Sequence, residues 1–153
     1  MSGYYFDSSA LVKCYIQETG SAWVRGIINA QPANEISTAL VTGAEIVAAI
    51  SRRQRMNRIS AADAALAIAV FRSQFKGQFN ALRVTDLVVE QAMDLAEKHS
   101  LRGYDSIQLA SALLIESKMT ARGVGPLTFV SADTPLNQAA IAEGLLVEDP
   151  NQH

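Results

Sequence analysis

Short apolar bursts alternate along this chain with longer stretches in which apolar residues return every three or four positions, the pattern of strands followed by amphipathic helices. The aromatic run Tyr4, Tyr5, Phe6 predicts a strand over residues 4–6. Asp7, Ser8 and Ser9 behind it can cap a helix carrying Ala10, Leu11, Val12 and Tyr15 that stops before Gly20. Trp23, Val24, Ile27 and Ile28 predict a second helix from Ser21, closed by Gln31-Pro32 because a residue preceding proline is steered out of the helical region. A strand is expected over residues 36–39 and a helix over residues 42–57. Ser60 then opens a helix through Ala67, Ile68, Phe71 and Phe75, and these two helices form a hairpin.

Further on, residues 82–85 read as a brief strand and Asp86 as the cap of a helix whose apolar face is Val89, Ala92, Met93 and Ala96. Ile107, Leu109, Ala110, Leu113 and Leu114 predict a helix over residues 104–118, ended by the glycines before Pro126. Residues 127–130 form a buried type of strand, Pro135 marks the first turn of a last helix that runs to Gly144, and residues 145–147 supply an edge strand. Strands alternating with helices predict a helix-rich α/β fold, a short parallel sheet sandwiched between helices with right-handed crossovers.

Composition narrows this. With 153 residues, 49% of them hydrophobic, the chain is expected to form one domain over residues 1–153. Charged residues make up 18% and the formal net charge is -2, which excludes a uniformly basic nucleic-acid coat and leaves only a local patch to meet a polyanion. One cysteine, Cys14, rules out an internal disulfide and a cysteine zinc cluster. The first residues lack the cationic start and apolar core of a signal peptide, and no uncharged apolar run reaches membrane-spanning length, so a soluble cytoplasmic protein is expected.

Four carboxylates fall inside stretches otherwise suited to burial: Asp7, Glu45, Asp105 and Asp133. Each alone has a helix-capping explanation. Asp7 follows a strand, Asp105 and Asp133 stand at helix starts, and Thr42 with Glu45 three residues later matches a capping box. Together they say more, because a parallel sheet brings the carboxyl ends of its strands to one edge, where ligands bind. Acids gathered there repel one another, and few fixed cations stand near them in sequence. Oxygen-only ligands select hard ions such as Mg²⁺ or Mn²⁺, and metal-assisted phosphodiester hydrolysis follows as an expectation.

The segments around these acids, Tyr4-Tyr5-Phe6-Asp7-Ser8-Ser9-Ala10-Leu11, the Glu45 helix, Leu101-Arg102-Gly103-Tyr104-Asp105-Ser106-Ile107-Gln108-Leu109-Ala110 and Phe129-Val130-Ser131-Ala132-Asp133, resemble the motifs of PIN-domain ribonucleases, and among them the VapC toxins of toxin–antitoxin pairs. The resemblance covers nearly the whole chain. It implies a PIN-like three-layer α/β/α fold and a Mg²⁺-dependent endoribonuclease, with Mn²⁺ as an alternative ion, acting as the toxin of a type II pair. Its acidic quartet would be Asp7, Glu45, Asp105 and Asp133, with Asp7 and Asp105 as metal ligands and Ser9 and Ser131 as supporting hydroxyls. Implied partners are an RNA substrate, a small antitoxin and a second copy of the chain, with no membrane.

Arg52, Arg53, Arg55 and Arg58 place four cations within seven positions, either a phosphate-attracting patch or a solvated helix end suited to the dipole. Two other classes compete with the nuclease: a PIN-fold module that binds RNA or protein without cleaving, and an aspartate-nucleophile phosphotransferase. The second lacks an aspartate two positions after Asp7 and a lysine after a late strand. No phosphate-binding loop motif is present.

Overall fold

The structure, a computed structural model, describes residues 2–153; Met1 lies outside it. Five parallel strands, β1 (Ser2–Phe6), β2 (Asn34–Ala39), β3 (Asn80–Leu82), β4 (Leu127–Val130) and β5 (Leu146–Glu148), form a sheet in the order β3-β2-β1-β4-β5. The chain runs outward from β1 through β2 to β3, then crosses back to place β4 on the other flank of β1 and β5 at the edge. The order therefore reverses between β1 and β4, and the carboxyl ends of those two strands open a crevice.

Side chains of β1 alternate across the sheet, as a strand buried on both faces requires. Tyr5 stacks on Phe129 within a core shared with α5 (Asp86–His99), α6 (Gly103–Ala121) and α7 (Thr134–Ala142). Phe6 enters the opposite core, built with α1 (Ser8–Leu11), α2 (Ser21–Asn29), α3 (Thr42–Arg55) and α4 (Ala61–Gly77). The result is a three-layer α/β/α arrangement. Gly3 lets Met119 close against β1, since a Cβ there would stand 2.3 Å from the methionine Cε. Gly144 turns the chain after α7 at φ 91°, the left-handed stop expected of it.

Local differences from the sequence expectations have physical causes. The first helix stops at Leu11 and tightens into a 3₁₀ turn, Val12–Cys14, instead of running to Tyr15. β3 begins at Asn80 because its register is set by β2, with Ser37, Thr38 and Ala39 opposite Asn80, Ala81 and Leu82. Thr85 rather than Asp86 caps α5, its Oγ1 accepting from the Val88 N–H at 3.4 Å. The buried face of α5 is Val88, Ala92 and Leu95; Val89 and Met93 are 40% and 60% exposed. Packing against α6 selected the stripe, and the apolar residues beside it do not distinguish themselves in sequence. β5 sits one residue later than predicted, and it is an edge strand.

Candidate active site

Asp7 leaves β1 at the crevice with its own N–H bonded to the Val130 carbonyl, so backbone pairing with β4 fixes where the carboxylate starts. It caps α1, accepting from the Ala10 N–H at 3.0 Å. Ser9 donates to it at 2.7 Å and Ser131, at the end of β4, donates at 2.7 Å. Both hydroxyls named with the acids thus converge on one carboxylate. Ser131 is itself held on its backbone side, its carbonyl accepting from Asn137 at 2.8 Å.

Asp7 is only 3% exposed, and no cation among the described residues forms an ion pair with it. Burial raises its pKa from 3.8 to about 6 against the pull of the Ser131, Ser9 and Ala10 donors, and the charge of Asp105 adds to the rise. A carboxylate kept dry without a counter-charge is poised to accept a cation.

Glu45 lies on α3, and its capping-box reading fails. Val41 holds the N-cap position without a side-chain bond, while Thr42 is fully buried and accepts from Gln108 at 2.9 Å. Glu45 instead takes one donor from Ser8 of α1 and another from Gln108 of α6, the latter at 3.2 Å. Burial raises its pKa, Ser8 and Gln108 oppose the rise, and the Asp105 charge reinforces it. Behind this pair Tyr5 donates to Gln108 at 2.6 Å, and burial pushes the phenol well above its ordinary pKa.

Asp105 in the first turn of α6 and Asp133 at the N-cap of α7 form the rim. Both are half-buried rather than buried, with 17% and 23% of their side chains exposed. The expectation that few fixed cations stand near the acids also fails here. Arg102 donates to Asp105 at 3.0 Å and to Asp133 at 3.1 Å, and the hydrogen bond and charge of Asp105 raise the guanidinium pKa. Its adjacency to Asp105 was visible in sequence; its bridge to Asp133 depends on the crossover from α6 to β4.

All four acids line one cleft of about 870 Å³ with Ser8, Ser9 and Arg102. Arg52 and Arg53 also line it, but Arg55 and Arg58 do not. Arg53 pairs with Glu18, which also holds Lys13 at 3.3 Å, and Lys13 is buried on the cleft wall. Sequence reasoning missed Lys13, Glu18, Gln108 and Arg102; only Arg102 carried a signal, a cation within one turn of a suspected ligand. Cys14 packs half-buried, its thiol pushed up to about 11 by burial, and His99 pairs with Glu143 at 2.7 Å, so neither belongs to the cleft.

No group of three or more His, Cys, Asp or Glu side chains among the described residues is arranged to hold a metal ion by itself. The donor chemistry nevertheless fits a hard divalent cation. The cleft offers oxygen ligands only, and Mg²⁺ commonly takes one or two carboxylates and fills its remaining positions with water and substrate phosphate. Asp7, dry and uncompensated, and Asp105, close enough to shift its pKa, supply such a pair.

The PIN domain family profile matches residues 4–141. Ribonuclease VapC45 from Mycobacterium tuberculosis is 32% identical over 111 residues, which cover 72% of this chain and 75% of that protein. Similar solved structures include a toxin-antitoxin complex from Klebsiella pneumoniae, with TM-score 0.56 and 20% identity over 96% of this chain and 97% of that one. Mycobacterium tuberculosis VapC20, described as a sarcin-ricin loop cleaving toxin, gives a TM-score of 0.60 and 16% identity over 94% and 96% of the two chains. At such identities the structural likeness speaks to the fold alone. No helix among the described residues is long and apolar enough to cross a membrane.

Proposed function

The chain belongs to the PIN domain family, and from that premise we propose that it is a Mg²⁺-dependent endoribonuclease acting as the toxin of a type II toxin–antitoxin pair. Mn²⁺ can replace Mg²⁺ in this reading. The observation that carries it is the meeting of Asp7, Glu45, Asp105 and Asp133 in one cleft, with Asp7 buried and lacking a cationic partner among the described residues. The convergence of all four acids, with Asp7 and Glu45 each held by hydrogen-bond donors, favours cleavage over a module that only binds RNA or protein.

Asp7 and Asp105 would hold the cation, which when bound would supply Lewis-acid polarisation of a phosphodiester and a lowered pKa for water. Ser9 and Ser131 fix the direction of Asp7 through their hydrogen bonds. Glu45 or Asp133 orients the attacking water and takes its proton as the oxygen adds to phosphorus. The P–O bond opposite breaks, the leaving oxygen takes a proton from solvent while the carboxylic acid returns its own to solvent, and one product ends in phosphate, the other in a hydroxyl. Arg102, exposed on the cleft lining, would donate to the substrate phosphate. Arg52 and Arg53 extend the cationic wall along the RNA path, and Arg55 and Arg58 contribute to attraction from outside the cleft.

The proposed partners are RNA, a small antitoxin that covers the acidic cleft, and a second copy of the chain, all in the cytoplasm. The test compares wild type with Asp7→Asn and Asp105→Asn on RNA with Mg²⁺, with Mn²⁺ and with a chelator. Cleavage by wild type is expected only with the metals, and a loss on the order of 10³-fold for each variant. Cleavage that survives chelation, or survives both substitutions in folded protein, overturns the metal-nuclease reading. Failure of any small protein to co-purify with the chain from its native source overturns the toxin assignment.

A further inference from the structure

The centre of the sheet contains a hydroxyl that packing does not require. Tyr5 is fully buried, and its ring stacks on Phe129 at 5.7 Å between centroids, a contact that phenylalanine would make equally well. Its hydroxyl donates to the Oε1 of Gln108, an amide only 2% exposed, whose Nε2 donates onward to Thr42 and Glu45. Two buried polar groups, the Tyr5 hydroxyl and the Gln108 amide, are thereby strung from the middle of the sheet to one cleft acid, with Thr42 as a side branch, and leaving either unpaired would cost roughly 1–3 kcal/mol.

The direction of the chain is set from its cleft end. An ionised carboxylate only accepts hydrogen bonds, so Gln108 must present its NH₂ to Glu45 and its oxygen to Tyr5, and Tyr5 must be the donor. Ser8 grips the other carboxylate oxygen from α1. A glutamate has three side-chain torsions to restrain, and two donors arriving from different helices leave it a single orientation.

We propose that Tyr5 and Gln108 are positioning residues for Glu45, a buried hydrogen-bond relay from β1 through α6 that aims the carboxylate into the cleft. This rests on the nuclease reading and takes Glu45, of the two acids named there, as the one that acts on the attacking water. Neither residue touches substrate. They act by keeping Glu45 in the reactive geometry, as groups behind a catalytic ligand do.

The experiment measures kcat and KM for RNA cleavage at saturating Mg²⁺ in wild type, Gln108→Leu, Tyr5→Phe, Glu45→Ala and the double variants of each relay residue with Glu45→Ala. Gln108→Leu is expected to lower kcat ten- to a hundredfold, and Tyr5→Phe several-fold, with KM nearly unchanged. In the Glu45→Ala background both losses should vanish, because the relay then has nothing to aim. A merely structural role lowers the melting temperature and leaves kcat of the folded fraction intact. If Gln108→Leu does not fold, Tyr5→Phe, which keeps the ring on Phe129, carries the same coupling test. Unchanged kcat, or an undiminished loss in the Glu45→Ala background, overturns the relay while Mg²⁺-dependent, Asp7-dependent cleavage leaves the nuclease reading standing. A wild-type chain that does not cleave RNA sinks both.

Discussion

On the floor of the cleft Asp7 and Glu45 are held by neutral donors, the hydroxyls of Ser8, Ser9 and Ser131, the amide of Gln108 and a backbone N–H. At the rim Asp105 and Asp133 share the guanidinium of Arg102. Neutral donors fix a carboxylate's position without cancelling its charge, so the floor stays hungry for a cation. An exposed arginine cancels charge, and Arg102 has 78% of its side chain exposed. The floor acids are thus held by neutral donors, while the rim acids are balanced by a solvated cation.

The largest effect separating the two regions should come from Asp7→Asn. The folded pKa of Asp7, about 6, lies above its unfolded value, so its proton is bound preferentially by the folded state between pH 4 and 6. Its contribution to stability is present below that window and is lost as pH rises through about 6. By the shift from 3.8 the loss is about 3 kcal/mol at neutral pH. Denaturation of the chelated protein should therefore show wild type losing stability relative to Asp7→Asn from pH 4.5 to 7, with the variant about 1–3 kcal/mol more stable at pH 7. Parallel curves for the two proteins would mean that the floor carries no stored charge.

In cleavage, where Asp7→Asn is expected to cost on the order of 10³-fold, a smaller effect is expected from Ser131→Ala, which removes a donor from Asp7 and an acceptor from the Asp133 N–H. Loss of that buried hydroxyl should cost about 1–3 kcal/mol and lower cleavage ten- to a hundredfold. Thermal melts and single-turnover rates check it, and an effect on melting alone would demote Ser131 to packing.

The smallest change belongs to the rim. Arg102→Ala should leave metal-free stability nearly unchanged, because the ion pairs are solvated. It should lower by a few-fold the Mg²⁺ concentration needed for half-maximal protection against thermal melting, since the competing cation is gone. A higher Mg²⁺ requirement would show that Arg102 assists metal binding rather than opposing it.

Much of the fold was legible in the chain because period and caps are local properties. The helix stop at Gly144, the Ser60 cap and the β4 strand all follow from residues within a few positions of one another. α5 shows the limit: Val88, Val89, Ala92, Met93 and Leu95 offer two overlapping apolar stripes, and only contact with α6 selects one. Glu45 shows it more sharply, since a matching capping-box pattern existed and the structure used Thr42 for Gln108 instead.

By itself the sequence determined which acids stand where a strand gives way to a helix, and so which carboxylates a parallel sheet would carry to its ligand-binding edge. Its chemistry of oxygen donors, without cysteine pairs or clustered histidines, suits a hard cation rather than a soft one. Only the tertiary structure decided how each acid is held: Asp7 by hydroxyls 2 and 124 residues away, Glu45 by a relay from Tyr5 through Gln108, Asp105 and Asp133 by one shared arginine. Burial and hydrogen-bond direction are properties of the packed layers, and no local pattern of residues encodes them.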